Sequence, residues 1–156
     1  MNVNIDILNE SSAAWVPPAA DCNRWITSAL ASADYTKKCS ISIRFVDESE
    51  SKELNGRFRS KDKPTNVLSF PANMPANVIK AMGAEFLGDI VICAPVLEEE
   101  ALAQGKTIAA HWAHLTVHGT LHLLGFDHET DDQAQIMENL EIDSLQHLGF
   151  SNPYKN

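Results

Sequence analysis

Residues 107–128 read TIAAHWAHLTVHGTLHLLGFDH. The stretch from Thr107 to Leu124 has the length and composition of one long helix, and Gly125 stops it. His111, His114, His118 and His122 then fall within a stripe about 80° wide, because each residue advances a helix by about 100°. His118 and His122 are four apart, so their rings lie one turn apart on one face and can share an ion. Gly125 can adopt a left-handed conformation and turn the chain sharply. Three residues later, His128 is placed to swing back toward the other two.

The pattern His-x3-His-x2-Gly-x2-His is similar to the ligand spacing of the metzincin zinc proteases. It predicts one zinc ion per chain, held by His118, His122 and His128. Three protein nitrogens leave a fourth tetrahedral position open, which is the arrangement of a catalytic site. Zinc there would acidify water and polarise a carbonyl or phosphoryl oxygen. A three-histidine site also accommodates nickel, cobalt or copper. Asp127 has two readings, as a turn residue or as a carboxylate that orients a ligand imidazole. His111 and His114 read as packed or solvated histidines. One departure bears on the reaction class. The proteases carry a glutamate base after the first histidine, and this chain has Gly119. Glycine cannot take a proton, so the peptidase mechanism lacks its base.

Outward from this helix, the chain mixes strands and helices. Residues 3–8 alternate apolar and polar side chains as a first strand. Residues 19–33 carry Cys22, Trp25, Ile26, Ala29 and Leu30 at helical spacing. Residues 40–46 form a second strand, and Asp47 or Ser49 is placed to cap a helix running to about Phe58. Residues 65–70 and 86–93 read as two further strands. Between them, 71–83 holds two prolines, three alanines, two asparagines and a glycine, and reads as a loop or flap. Pro95 starts a helix that ends near Gly105, and a last helix runs from about Thr130 to Leu148. The expected fold is α+β: a single domain over 1–156, with a small mixed sheet of about four strands covered by about five helices, on a zincin-like plan.

The 156 residues are 44% apolar and 21% charged, an ordinary composition for a soluble globular domain. The start, MNVNIDILNE, has neither the basic nor the apolar region of a signal peptide. No apolar run approaches a membrane span, so no membrane association is expected and the cytoplasm is the expected compartment. Cys22, Cys39 and Cys93 are odd in number and widely spaced, which predicts buried free thiols. The formal net charge of −9 argues against a nucleic-acid partner, and DNA binding is not expected. Charge is uneven, however. Residues 57–63 hold four basic groups and one acid, whereas 127–143 hold seven acids and no Lys or Arg. A local basic patch can still bind a polyanion.

Two stretches together resemble one family. They are residues 118–128, HGTLHLLGFDH, and residues 54–71, LNGRFRSKDKPTNVLSFP. Both look like the bacterial YbeY endoribonucleases, also called rRNA maturation factors. Leu87-Gly-Asp-Ile-Val fits as well, and the resemblance covers about residues 40–150. It implies a zinc-dependent endonuclease for single-stranded RNA that matures ribosomal RNA, notably the small-subunit 3′ end, and serves ribosome quality control. The partners it implies are the ribosome or small-subunit ribosomal proteins and an assembly GTPase. The family's ligands map onto His118, His122 and His128, and its functional arginine onto Arg59.

A guanidinium has the planar fork of donors that a phosphate takes, so Arg59 also fits on chemical grounds. Arg57, Lys61 and Lys63 are candidates to track an RNA backbone, with ordinary surface charge as their plainer reading. Phe58 and Phe70 either stack on bases or belong to the core. Two mechanisms stay open, attack on phosphorus by zinc hydroxide or attack by the RNA 2′-hydroxyl. Two other functions compete: a zinc hydrolase of peptides or small amides, and a non-catalytic ribosome assembly factor that zinc merely stabilises.

Overall fold

The computed structural model describes residues 3–155. Ten elements follow one another: β1 (Val3–Asn9), α1 (Ala19–Ser32), β2 (Cys39–Val46), α2 (Glu48–Arg59), β3 (Val67–Pro71), α3 (Ala76–Met82), β4 (Glu85–Cys93), α4 (Ala94–Ala103), α5 (Ile108–Leu123) and α6 (Asp131–His147). The sheet order is β1-β2-β4-β3. β1 runs parallel to β2 and β2 to β4, while β3 pairs antiparallel with β4 at the sheet edge. The expected α+β plan with a mixed four-stranded sheet is therefore the fold.

Alternation along the strands divides two apolar layers. Ile90 and Ile92 of β4 join Ile41, Ile43 and Phe45 of β2 in the main core. Cys39 and Leu87 of the same strands and residues of helices α1, α4, α5 and α6 complete that core. Val91 and Cys93 point the other way, into a smaller cluster with Val46 and Leu68, packed by Leu54 of α2. Buried on both faces, β4 reads as a nearly continuous apolar run.

α5 is the axis of the molecule. Eleven of its sixteen residues are buried, so it has no solvent face to make it amphipathic. Trp112 packs edge-on against Phe45 of β2, with ring centroids 4.9 Å apart. Thr107 caps the helix by accepting a hydrogen bond from the Ala110 amide. Gly119 marks its closest approach to the sheet. A Cβ there would stand 3.0 Å from Ile90 Cγ2 and 3.3 Å from Ser69 Oγ.

Two expectations need correction. The loop at 71–83 contains a sixth helix, α3, preceded by Pro75 and ended by the left-handed Gly83. α3 is only seven residues long and follows Pro75, too short for its Val78, Ile79 and Met82 to set a helical period, and it buries none of its residues. Asp47 does stand at the N-cap of α2, but its side chain makes no cap bond. Its carboxylate instead accepts from the Ser11 hydroxyl, at 2.8 Å, and from the Ser12 amide. These bonds hold it below the usual carboxylate range and tie the segment after β1 to the start of α2.

All three cysteines are buried and free. Burial pushes Cys22 to about 12 and Cys39 to about 11, and raises Cys93. They are therefore inert thiols rather than nucleophiles. Among the described residues, no helix is long and apolar enough to cross a membrane.

Candidate metal centre

The last turns of α5 carry His118 and His122 on the face directed at β3 and the following loop. The helix then ends in hydrogen bonds from Gly125 N to His122 O and from Phe126 N to Leu121 O. Gly125 has φ +99°, a conformation that L side chains rarely adopt. This turn reverses the chain and returns His128 to the site. The His128 ring lies 5.5 Å from that of His118 and 5.0 Å from that of His122, centroid to centroid.

One ring nitrogen from each histidine lies within 4.8 Å of the other two. His118 Nε2 and His122 Nε2 face each other at 3.1 Å. Two nitrogens bound tetrahedrally to zinc at about 2.0–2.1 Å would stand about 3.3 Å apart. The spacing thus fits a tetrahedral ion, as does the donor set. Burial, followed by the neighbouring His118 and His128, lowers His122 to about 4. It is neutral at pH 7 and presents a lone pair, as a metal ligand must.

Behind His118 stands Glu141, from the middle of α6 and only 1% exposed. Its Oε2 accepts from His118 Nδ1 at 2.7 Å. Burial alone would raise this carboxyl, but hydrogen bonds from His114 and His118 outweigh burial and hold it at about 2. An ionised carboxylate only accepts, so His118 Nδ1 is the donor and Nε2 is the nitrogen turned to the site. Asp127 is placed differently. Its Oδ1 accepts from the backbone amide of His128 at 2.8 Å, which steadies the turn that delivers His128.

The sequence offered one sign of Glu141. It shares the buried stripe of α6 with Met137, Ser144 and Leu145, the one charged residue on that stripe. His111 and His114 stay outside the three-nitrogen cluster. His111 Nε2 meets Glu100 Oε1 at 2.9 Å, and His114 Nε2 lies 3.3 Å from Glu141 Oε2.

The histidines open into a cleft of about 710 Å³, also lined by Arg59, Phe58, β3 and the Gly125–Glu129 turn. Arg59 ends α2, followed by the left-handed Ser60. The segment between it and β3 is pinned by two buried side chains of α2. Ser51 exchanges hydrogen bonds with the Thr65 backbone, each 2.9 Å, and Asn55 donates to Lys63 O at 2.8 Å. Among the described residues Arg59 has no acidic partner, whereas Arg57 is paired with Glu53 at 3.0 Å. Arg57, Lys61 and Lys63 lie outside the lining of the cleft. Phe58 and Phe70 both line it, in edge-to-face contact at 5.1 Å. Phe58 is 58% exposed, so it is not core.

The sequence profile of the endoribonuclease YbeY family matches residues 6–149. The chain belongs to the endoribonuclease YbeY family. It is 50% identical over 141 residues to the endoribonuclease YbeY of Xanthomonas axonopodis pv. citri, covering 90% of this chain and 86% of the relative. It is 46% identical over 154 residues to that of Alkalilimnicola ehrlichii, covering 97% and 92%. Among solved structures, the solution structure of TM1509 from Thermotoga maritima superposes with a TM-score of 0.57 at 25% identity, over 98% of this chain and all of that one. Membership of this family makes the chain a hydrolase of the RNA-cutting endonuclease class, and the metal-site turn and the Arg59 segment both fall within the matched region.

Proposed function

We propose that this protein is a zinc-dependent endoribonuclease that cuts single-stranded RNA. His118, His122 and His128 hold the ion, and Arg59 faces the phosphodiester. The observation that carries the reading is one cleft lined by three convergent imidazoles and by a guanidinium without an acidic partner among the described residues. Bound zinc supplies positive charge that polarises a phosphoryl oxygen and acidifies water.

The chain's own residues do the rest. Glu141 fixes the tautomer and direction of His118. Arg59 binds nonbridging phosphate oxygens and stabilises the negative charge that grows on them. Ser51 and Asn55 hold the segment that follows Arg59. Phe58 offers an exposed ring on which a flanking base can stack. Arg57, Lys61 and Lys63 lie beyond the cleft and add positive charge along the RNA approach. The substrate assigned on the family resemblance is ribosomal RNA, at the small-subunit 3′ end and in ribosome quality control. Small-subunit proteins and an assembly GTPase are its partners, in the cytoplasm.

The test incubates purified protein and zinc with single-stranded RNA and with peptides, beside His118→Ala and Arg59→Ala. RNA cleavage that is lost in both variants supports the reading. Equal cutting by wild type and variants marks a contaminant and removes the support. Cleavage of peptides instead of RNA moves the site to the protease class, and RNA binding without cutting makes the protein an assembly factor. A 2′,3′-cyclic phosphate on the product excludes direct attack by water and assigns the nucleophile to the 2′-hydroxyl.

A further inference from the structure

Behind the metal-site histidines lies a second cavity, of about 360 Å³, whose wall includes His111, His114, His118 and Tyr154. Tyr154 follows α6 in a short turn. Its amide donates to Asn152 Oδ1 at 2.8 Å, which holds the turn. Its ring stands edge-on to His114, with centroids 5.4 Å apart, and its hydroxyl donates to Glu141 Oε1. The other carboxylate oxygen serves His118 at 2.7 Å and His114 at 3.3 Å. The hydroxyl is also within 3.3 Å of His114 Nε2.

Glu141 therefore sits at a junction. Both of its oxygens are engaged, and one of the three donors is a histidine of the metal centre. A carboxylate held at one oxygen only is free to rotate about its last bond. Held at both, it presents Oε2 to His118 in one direction. The Tyr154 residue is 48% exposed, so its ring contributes little to the core. Its hydroxyl faces Glu141.

We propose that Tyr154 is a positioning residue of the metal centre: its hydroxyl locks the Glu141 carboxylate, which in turn orients His118 toward the ion. The proposal rests on the metal-centre reading above. It reaches 36 residues along the sequence from His118 to Tyr154, across α6, for a contact no local motif contains. His114 belongs to the same lock, because it bridges the hydroxyl and the carboxylate without reaching the ion site.

Zinc affinity of full-length protein tests this, measured by competition with a chromophoric chelator for wild type, Tyr154→Phe, Glu141→Gln and His118→Ala. Thermal melting of each metal-free protein runs alongside. Residues behind a metal ligand set affinity by about 10- to 100-fold. Tyr154→Phe is expected to weaken zinc by about tenfold, Glu141→Gln by up to about 100-fold, with the metal-free Tm of Tyr154→Phe close to wild type. The visible spectrum of the cobalt-loaded protein should change in both. Tyr154→Phe affinity within twofold of wild type overturns the proposal. So does a fall in metal-free Tm large enough to account for the lost affinity, since the hydroxyl would then be structural. If wild type fails to bind zinc, or His118→Ala binds it equally well, the metal-centre reading itself falls.

Discussion

Replacing Gly119 with alanine sets two effects of known sign against each other. In a helix interior, alanine is favoured over glycine by about 1 kcal/mol. Against this stands the approach of α5 to the sheet. The new methyl would lie 3.0 Å from Ile90 Cγ2 and 3.3 Å from both Ile90 Cδ1 and Ser69 Oγ. Ile90 is fully buried and β-branched, so its χ1 is stiff and it yields space only at a cost. Ser69 also donates its hydroxyl to Gly119 O at 3.3 Å, a bond that a shift of the helix would stretch. Forcing an extra carbon into a packed interior costs about 1–3 kcal/mol. The net expectation is a loss of about 1 kcal/mol, or a Tm about 2–4 °C lower for a domain of this size. Urea and thermal unfolding of metal-free wild type and Gly119→Ala measure it. A variant more stable than wild type by about 1 kcal/mol would refute the reasoning, because helix propensity would then have acted without opposition. The outcome bears on function too. Gly119 stands where the metzincin proteases carry their base, and any side chain there starts in tight contact with Ile90 and Ser69.

At Gly125 the constraint is backbone conformation, since a Cβ there meets nothing within 4 Å. Gly125→Ala is expected to lose about 1–2 kcal/mol in unfolding experiments and to weaken zinc, because the turn delivers His128. The thiols of Cys22, Cys39 and Cys93 should resist a disulfide reagent in native protein at pH 7 and all react in denaturant; rapid native labelling would contradict their burial. Metal-free protein should lose stability as pH falls below about 6.5. Burial lowers His111 below 6.5 and His122 to about 4. The unfolded chain thus binds more protons between 6.5 and 4, and the folded state loses ground through that window. Unfolding midpoints across pH 4–8 check the sign, and a midpoint that rises on acidification would contradict it.

Much of this was legible in the sequence because the patterns were periodic or punctuated. β1 and β2 alternate, α5 is a largely apolar run between Thr107 and Gly125, and the spacing of its histidines follows from helix geometry. α3 escaped because seven residues between Pro75 and Gly83 are too few to establish a helical period. Glu141 and Tyr154 escaped for a different reason. Their meeting with His118 depends on how α6 packs against α5, a tertiary fact that no spacing encodes. The charge of the Arg59 segment was plain, but not its division. Only the fold shows that Arg59 enters the cleft while Arg57 is held by Glu53 and Lys61 and Lys63 lie outside.

That division also argues for the kind of bond this cleft cuts. A peptide hydrolase of this ligand pattern needs a carboxylate beside the ion to take a proton. Glu141 lies behind His118, fully engaged and held ionised by its own donors. Asp127 accepts from the His128 amide. Glu129, the other acid in the lining, is exposed on the turn. Among the described residues, Arg59 is the one Arg or Lys in the lining of the cleft, beside Asp127 and Glu129. A guanidinium gives little to a neutral amide but much to a phosphodiester, whose oxygens carry charge before attack and more during it. RNA also brings its own 2′-hydroxyl, so a site without a dedicated carboxylate base retains a nucleophile next to the bond it breaks.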